Sequence, residues 1–222
     1  MRDSGRMSAE PSPLTVAHHH YIRAHVPEED PFLARLRAAA IEARIPPIWI
    51  AHEQAHFLCV LLRLIGAKRV IEVGTLAGYS AIALARGLPV DGRLDTIEIS
   101  PRHADFAEKW IASSEVAGRV HVHRGAGADV LAGFPADSAD AMFLDADKGS
   151  YPLYLEAALR IVRKGGLILA DNALAFGQLL DPAPKDREVP AVRAFNDLVA
   201  NDSRVEGAIV PLGDGVWVLR RR

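Results

Sequence analysis

Residues 141–151 read AMFLDADKGSY, and residues 166–174 read GLILADNAL. Each is an apolar run of strand length that stops abruptly at polar residues. The first ends in Asp145, Asp147 and Lys148, the second in Asp171 and Asn172. Unbroken apolar runs suit strands of a parallel sheet covered on both faces. Side chains at the carboxyl ends of such strands converge on the ligand crevice of an open α/β sheet. Two carboxylates and an amide oxygen are then expected to meet, with a lysine beside them. Hard oxygen donors of this kind select Mg²⁺, Ca²⁺ or Mn²⁺ over zinc.

Working outward, strand-like and helix-like segments alternate. RVIEV (69–73), LDTIEI (94–99) and VHVHRG (120–125) read as further strands. SAIALARGL (80–88), PRHADFAEKWIASSEV (101–116) and YPLYLEAALRIVRK (151–164) read as the helices between them, the last stopped by Gly165-Gly166. A helix over 191–201 follows. GAIVPL (207–212) and GVWVLRR (215–221) form a closing pair, with Gly213-Asp214-Gly215 as a hairpin turn. The alternation predicts an α/β fold: a mostly parallel sheet with helices on both faces and a C-terminal antiparallel hairpin. Two helices, from Pro31 and over about 51–64, precede the first strand as accessory elements. Residues 1–15 are polar, contain two prolines and are expected to form a disordered tail. Residues 16–222 are expected to form one domain.

Half of the 222 residues are hydrophobic, enough for a sizeable core, and the formal net charge is −2. No basic surplus points to nucleic acid and no polybasic run to a membrane surface. The apolar runs fall short of a bilayer span. One cysteine, Cys59, rules out an intramolecular disulfide and fits a cytoplasmic protein. It sits in FLCVLLRLI and reads as a buried, inert thiol rather than a nucleophile. His18-His19-His20 is too short a run to define a metal site. His52 and His56 stand at helical spacing but are not read as a zinc site.

Gly74-Thr75-Leu76-Ala77-Gly78 joins a strand to a helix. Glycine there permits close approach of a ligand, and the helix N-terminus behind it favours an anionic group. The same glycines could simply make a tight turn. The G-x-x-x-G spacing departs from the G-x-G-x-x-G of dinucleotide sites. Glu98 ends the next strand, where a nucleoside site places the acid that accepts from vicinal ribose hydroxyls. Glu72 lies within RVIEV. It is either a surface carboxylate or, since parallel strands rarely bury unpaired charge, a partner for a cationic ligand group. Lys148 reads either as a solvated lysine in an acidic loop or as a base beside the carboxylates. An NAD-dependent oxidoreductase and a non-catalytic nucleoside-binding protein share parts of this pattern.

In the stretches IEVGTLAGYSAIALA, IEIS, FLDADKGSYPLYLE, GGLILADNAL, FND and VPLGDGVWV the chain resembles the cation-dependent O-methyltransferases related to catechol and caffeoyl-CoA O-methyltransferase. The resemblance runs from about Glu53 to the C-terminus. It implies a class I methyltransferase fold of seven strands, S-adenosylmethionine as methyl donor, a small hydroxylated aromatic acceptor, and homodimers. By matching position, it implies that Asp145, Asp171 and Asn172 bind Mg²⁺ or a similar cation such as Mn²⁺ or Ca²⁺. Lys148 would be the base, and Glu98 would hold the ribose. Glu72, Gly74, Tyr79 and Ser80 would line the methionine end. Ala126, Asp145 and Asp147 would complete the cofactor site, with Ala126 and Asp147 beside the adenine. Relatives commonly carry tryptophan where this chain has Ala175. Ala175 and Phe176 are therefore expected at the acceptor pocket, and caffeoyl-CoA-like specificity is not expected.

Overall fold

The structure, a computed structural model, describes residues 14–222. The tail expected over residues 1–15 falls almost wholly outside the described residues. Three helices precede the sheet: α1 (Val16–Arg23), α2 (Pro31–Glu42) and α3 (His52–Leu64). The alternating core follows as β1 (Arg69–Val73), α4 (Tyr79–Gly87), β2 (Arg93–Glu98), α5 (Pro101–Ala112), β3 (Val120–Arg124), α6 (Gly127–Ala132) and β4 (Ala139–Leu144). Then come α7 (Tyr151–Ile161), β5 (Val162–Asp171), α8 (Val189–Ala200), β6 (Val205–Val210) and β7 (Val216–Arg221).

The seven strands lie in the order β3-β2-β1-β4-β5-β7-β6. Strands β1 to β5 pair in parallel, and β7 runs antiparallel to both β5 and β6. Strand order reverses between β1 and β4, which places the ligand crevice at their carboxyl ends.

Alternation along the strands sorts side chains to two cores. Val70, Phe143, Leu167 and Leu169 pack on one face with α2, α3 and α4. Ile71, Val73, Met142, Leu144, Ile168 and Ala170 pack on the other with α7 and α8. The same period of two directs Glu72, Asp145 and Asp171 toward the face that α3 and α4 cover. Helix α2 docks through Leu33, Leu36 and Ala40, one stripe at helical spacing, and Asp30 caps it by accepting from the Phe32 and Leu33 N–H groups. Full burial of a leucine such as Leu36 is worth ~1.5–3 kcal/mol over exposure.

Two local expectations change. Helix α7 ends at Ile161 rather than at the glycine pair, and Val162 already begins β5. Register shifts from Ala139↔Val162 to Ala141↔Leu167, so residues 163–166 bulge out. A Cβ on Gly166 would come 2.5 Å from the Asp140 carbonyl oxygen, so glycine is required there for strand approach rather than as a helix stop. Helices α1 and α6 were not expected. Helix α1 buries no residue and α6 spans six residues, so neither carries a long apolar stripe.

Cys59 is buried, its Sγ donates to the Ala83 carbonyl at 3.1 Å, and burial pushes the thiol up to about 11. The His52 ring bonds the Pro27 carbonyl at 2.6 Å. Among the described residues no helix is long and apolar enough to cross a membrane.

Candidate active site

Strand register builds the site. Val73 stands opposite Ile97, so the next residues, Gly74 and Glu98, are neighbours, and the Gly74 N–H donates to the Ile97 carbonyl at 3.0 Å. Leu144 stands opposite Ala170, so Asp145 and Asp171 follow side by side. The carboxyl ends of β1, β2, β4 and β5 thus open on one crevice of about 960 Å³.

Gly74, Tyr79, Ser80, Glu98, Ala126, Asp145, Asp147, Lys148, Asp171, Asn172 and Phe176 all line it. Gly74 has φ 104°, and a Cβ there would lie 1.9 Å from the Asp145 carbonyl oxygen. Its glycine is therefore needed for the approach of β4, whatever ligand lies above. Each Glu98 oxygen accepts a backbone N–H at 2.8 Å, from Leu76 and from Ser100, which fixes the carboxylate at the crevice wall. The Tyr79 hydroxyl donates to Glu29 at 2.8 Å, and Tyr154 donates to Asp147 at the same distance.

Glu72 is fully buried and is not part of the crevice lining. The Thr96 hydroxyl donates to its Oε2 at 2.6 Å, while Oε1 has no partner. Burial pushes its carboxyl up to about 8, against the hydrogen bond from Thr96. Ala175 is also fully buried, packed with Val189, Val192 and Leu179, and lies outside the lining. Phe176 next to it lines the crevice.

At the other end of the crevice four groups gather. Lys148 is buried. Its Nζ donates to the Tyr151 hydroxyl at 2.7 Å and lies 3.4 Å from Asp145 Oδ1. The Tyr151 O–H donates to the Leu144 carbonyl at 3.0 Å, so its oxygen is free to accept from Lys148. Burial, then the charges of Asp145 and Asp171, raise Tyr151 well above its ordinary value, so it is a neutral post for the lysine and not a base. Burial, and next the charge of Asp145, push Asp171 up to about 7. Burial also raises Asp145, opposed by Lys148. The Gln54 amide donates to Asp171 Oδ1, and Asn172 Nδ2 donates to Asp214 at 3.1 Å.

Gln54, Tyr151, Asp214 and Glu188, whose Oε1 accepts from the Lys148 N–H at 3.4 Å, belong to this site, but sequence reasoning did not single them out. Tyr151 stands three residues after Lys148, a spacing that could have suggested it. The others come from distant segments. Among the described residues no group of three or more His, Cys, Asp or Glu side chains is arranged to hold a metal.

The sequence matches the O-methyltransferase family profile over residues 23–222. A catechol O-methyltransferase of Niastella koreensis is 37% identical over 196 residues, 87% of this chain and 89% of that protein. The O-methyltransferase of Bacillus cereus, solved in complex with SAH, superposes with a TM-score of 0.83 at 32% identity, covering 93% of this chain and 97% of that one. An O-methyltransferase from Streptomyces achromogenes involved in tomaymycin synthesis, solved with SAM, gives 0.81 at 32% identity, covering 92% and 96%. With both the sequence and the sheet matched over nearly their whole length, the chain belongs to the O-methyltransferase family.

Proposed function

We propose that this O-methyltransferase takes its methyl group from S-adenosylmethionine and transfers it to one hydroxyl of a vicinal dihydroxy aromatic, with a divalent cation at Asp145, Asp171 and Asn172. One observation carries the reading: the Asp145–Asp171–Lys148 cluster and the Gly74–Glu98 wall share a single crevice. The complexes of the Bacillus and Streptomyces relatives with SAH and SAM support the methyl donor. The name of the Niastella relative supports the acceptor class. Family membership removes the oxidoreductase reading.

The residues suit the donor. Glu98 offers charged acceptors to vicinal hydroxyls, and the unpartnered Glu72 Oε1 is a buried acceptor beneath the Gly74 loop, suited to a cationic group. They also suit a cation. Two neighbouring carboxylates, both raised by burial and Asp171 also by the charge of Asp145, gain from a positive charge between them. Asn172 adds a neutral oxygen. A bound cation would supply Lewis acidity and a template for adjacent hydroxyls.

The chain's own part is positional. The acceptor oxygen forms its new bond to the methyl carbon as the carbon–sulfur bond breaks, and S-adenosylhomocysteine leaves. Lys148 Nζ, held by Tyr151, takes the hydroxyl proton. Alignment of nucleophile and methyl in one closed site supplies much of the rate. Phe176 forms an aromatic wall for a flat ring. A homodimer, as the family resemblance implies, is the proposed assembly, and light scattering of the purified protein tests it.

The test is turnover of three matched acceptors with S-adenosylmethionine and Mg²⁺: a catechol, its monomethyl ether and the corresponding phenol. Methylation of the catechol alone is expected. Equal turnover of the phenol contradicts the vicinal-diol reading.

A further inference from the structure

Asp214 lies in the turn between β6 and β7, far in sequence from the carboxylates, yet it bonds the segment that carries Asn172 and Phe176. Its Oδ2 accepts from Asn172 Nδ2 at 3.1 Å and from the Phe176 N–H at 2.8 Å, and its Oδ1 accepts from the Gly177 N–H at 3.2 Å. The Asp214 carbonyl also accepts from the Leu174 N–H at 2.9 Å. The segment needs such support. Asn172 (φ 63°), Ala175 (φ 53°) and Phe176 (φ 58°) all sit in left-handed backbone. That region crowds the Cβ of an L-residue against its own carbonyl, and asparagine tolerates it best. The turn itself is fixed on its other side, where a Cβ on Gly213 would strike Gln54, the residue that bonds Asp171.

The chemistry of the amide gives the bond a direction. A carboxylate only accepts, so the Asn172 side chain must turn its NH₂ toward Asp214. Its oxygen is then the atom offered to the crevice, which Asn172 lines. Were the amide reversed, two donor hydrogens would face the space between two carboxylates and no oxygen would be offered to a cation.

We propose that Asp214 is a positioning residue that sets the polarity of the Asn172 amide and seats Phe176, so that one side chain orients both the cation site and the acceptor wall. The inference rests on the cation reading proposed above. An outer partner of a metal ligand typically affects affinity by about 10–100-fold.

The experiment is Mn²⁺ binding, followed by the loss of the free-ion electron paramagnetic resonance signal, with no methyl donor or acceptor present. The proteins are the parent, Asp214→Leu, Asn172→Asp and the double variant, each with its melting temperature recorded. Asp214→Leu keeps the size of the side chain but removes both oxygens that accept from Asn172, Phe176 and Gly177, and is expected to weaken Mn²⁺ about tenfold or more. In the double variant the carboxylate introduced at position 172 no longer faces that of Asp214 and keeps an oxygen for the ion. The gain from Asn172→Asp is therefore expected to be larger in the Asp214→Leu background than in the parent, a coupling that a double-mutant cycle isolates. Equal gains in the two backgrounds, or Asp214→Leu binding Mn²⁺ like the parent, overturn the proposal and leave the cation site standing. A parent that binds no Mn²⁺ overturns both. Should Asp214→Leu melt below the assay temperature, Asp214→Ala takes its place and is held to the same comparison.

Discussion

Asp171→Asn should abolish turnover and yet make the cation-free protein more stable at alkaline pH. The parent sets two carboxylates side by side, Asp171 buried and Asp145 half-buried, with Gln54 donating to the first and Lys148 near the second. Burial and the neighbouring Asp145 push Asp171 up to about 7, against an ordinary value of 3.8. A carboxyl raised in the folded state binds its proton more tightly there than when unfolded. Its ionisation therefore destabilises the fold fully above the folded value and not at all below the unfolded one. Each tenfold change in proton affinity corresponds to ~1.36 kcal/mol. A rise of roughly a thousandfold sets a ceiling of ~4 kcal/mol, and reorganisation around the new amide brings the expected gain to ~2–4 kcal/mol. Asparagine keeps an acceptor for Gln54, so that contact survives. The assay is urea unfolding in excess chelator at pH 4.5 and pH 8.5. The variant should exceed the parent at pH 8.5, and the difference should shrink as pH falls through the window from about 7 to 3.8. Added Mg²⁺ should reverse the order, because it stabilises only the parent. A stability difference that does not change with pH, or a variant weaker than the parent at pH 8.5, refutes the electrostatic account.

Glu98→Gln leaves one of two backbone N–H groups without its acceptor and removes the charge. It should weaken S-adenosylmethionine binding by on the order of 1.5–3 kcal/mol, measured by calorimetry, with Mn²⁺ affinity unchanged. Phe176→Ala should raise the kcat/KM ratio of a polycyclic catechol to a simple one by about tenfold, since an apolar pocket discriminates by ~1–3 kcal/mol; an unchanged ratio would exclude Phe176 as the acceptor wall. Gly74→Ala places a Cβ 1.9 Å from the Asp145 carbonyl. It should lower stability by at least ~1–3 kcal/mol and weaken cation binding as Asp145 shifts, read by thermal unfolding and Mn²⁺ titration.

The strands and their polar ends were legible because burial on both faces leaves an unbroken apolar signature. Lys148 and Asp145 are only three residues apart, so their meeting was local information. Gln54 and Asp171 are separated by 117 residues, and Asn172 and Asp214 by 42, so those contacts exist only once the sheet is assembled. Ala175 shows the converse. The tryptophan that relatives carry there suggested a pocket position, but the left-handed backbone at Ala175 and Phe176 turns the first into the core and the second to the crevice. Glycine misled in the same way: Gly166 serves strand approach, a role that its sequence neighbours do not reveal. Helix α1 buries nothing and so left no periodic signal.

The central claim is best tested by methyl transfer from S-adenosylmethionine to a simple catechol, with the product detected by mass, in excess chelator and after addition of Mg²⁺ or Mn²⁺. The account predicts no product in chelator and recovery of turnover on adding either cation. Full turnover in chelator would contradict it.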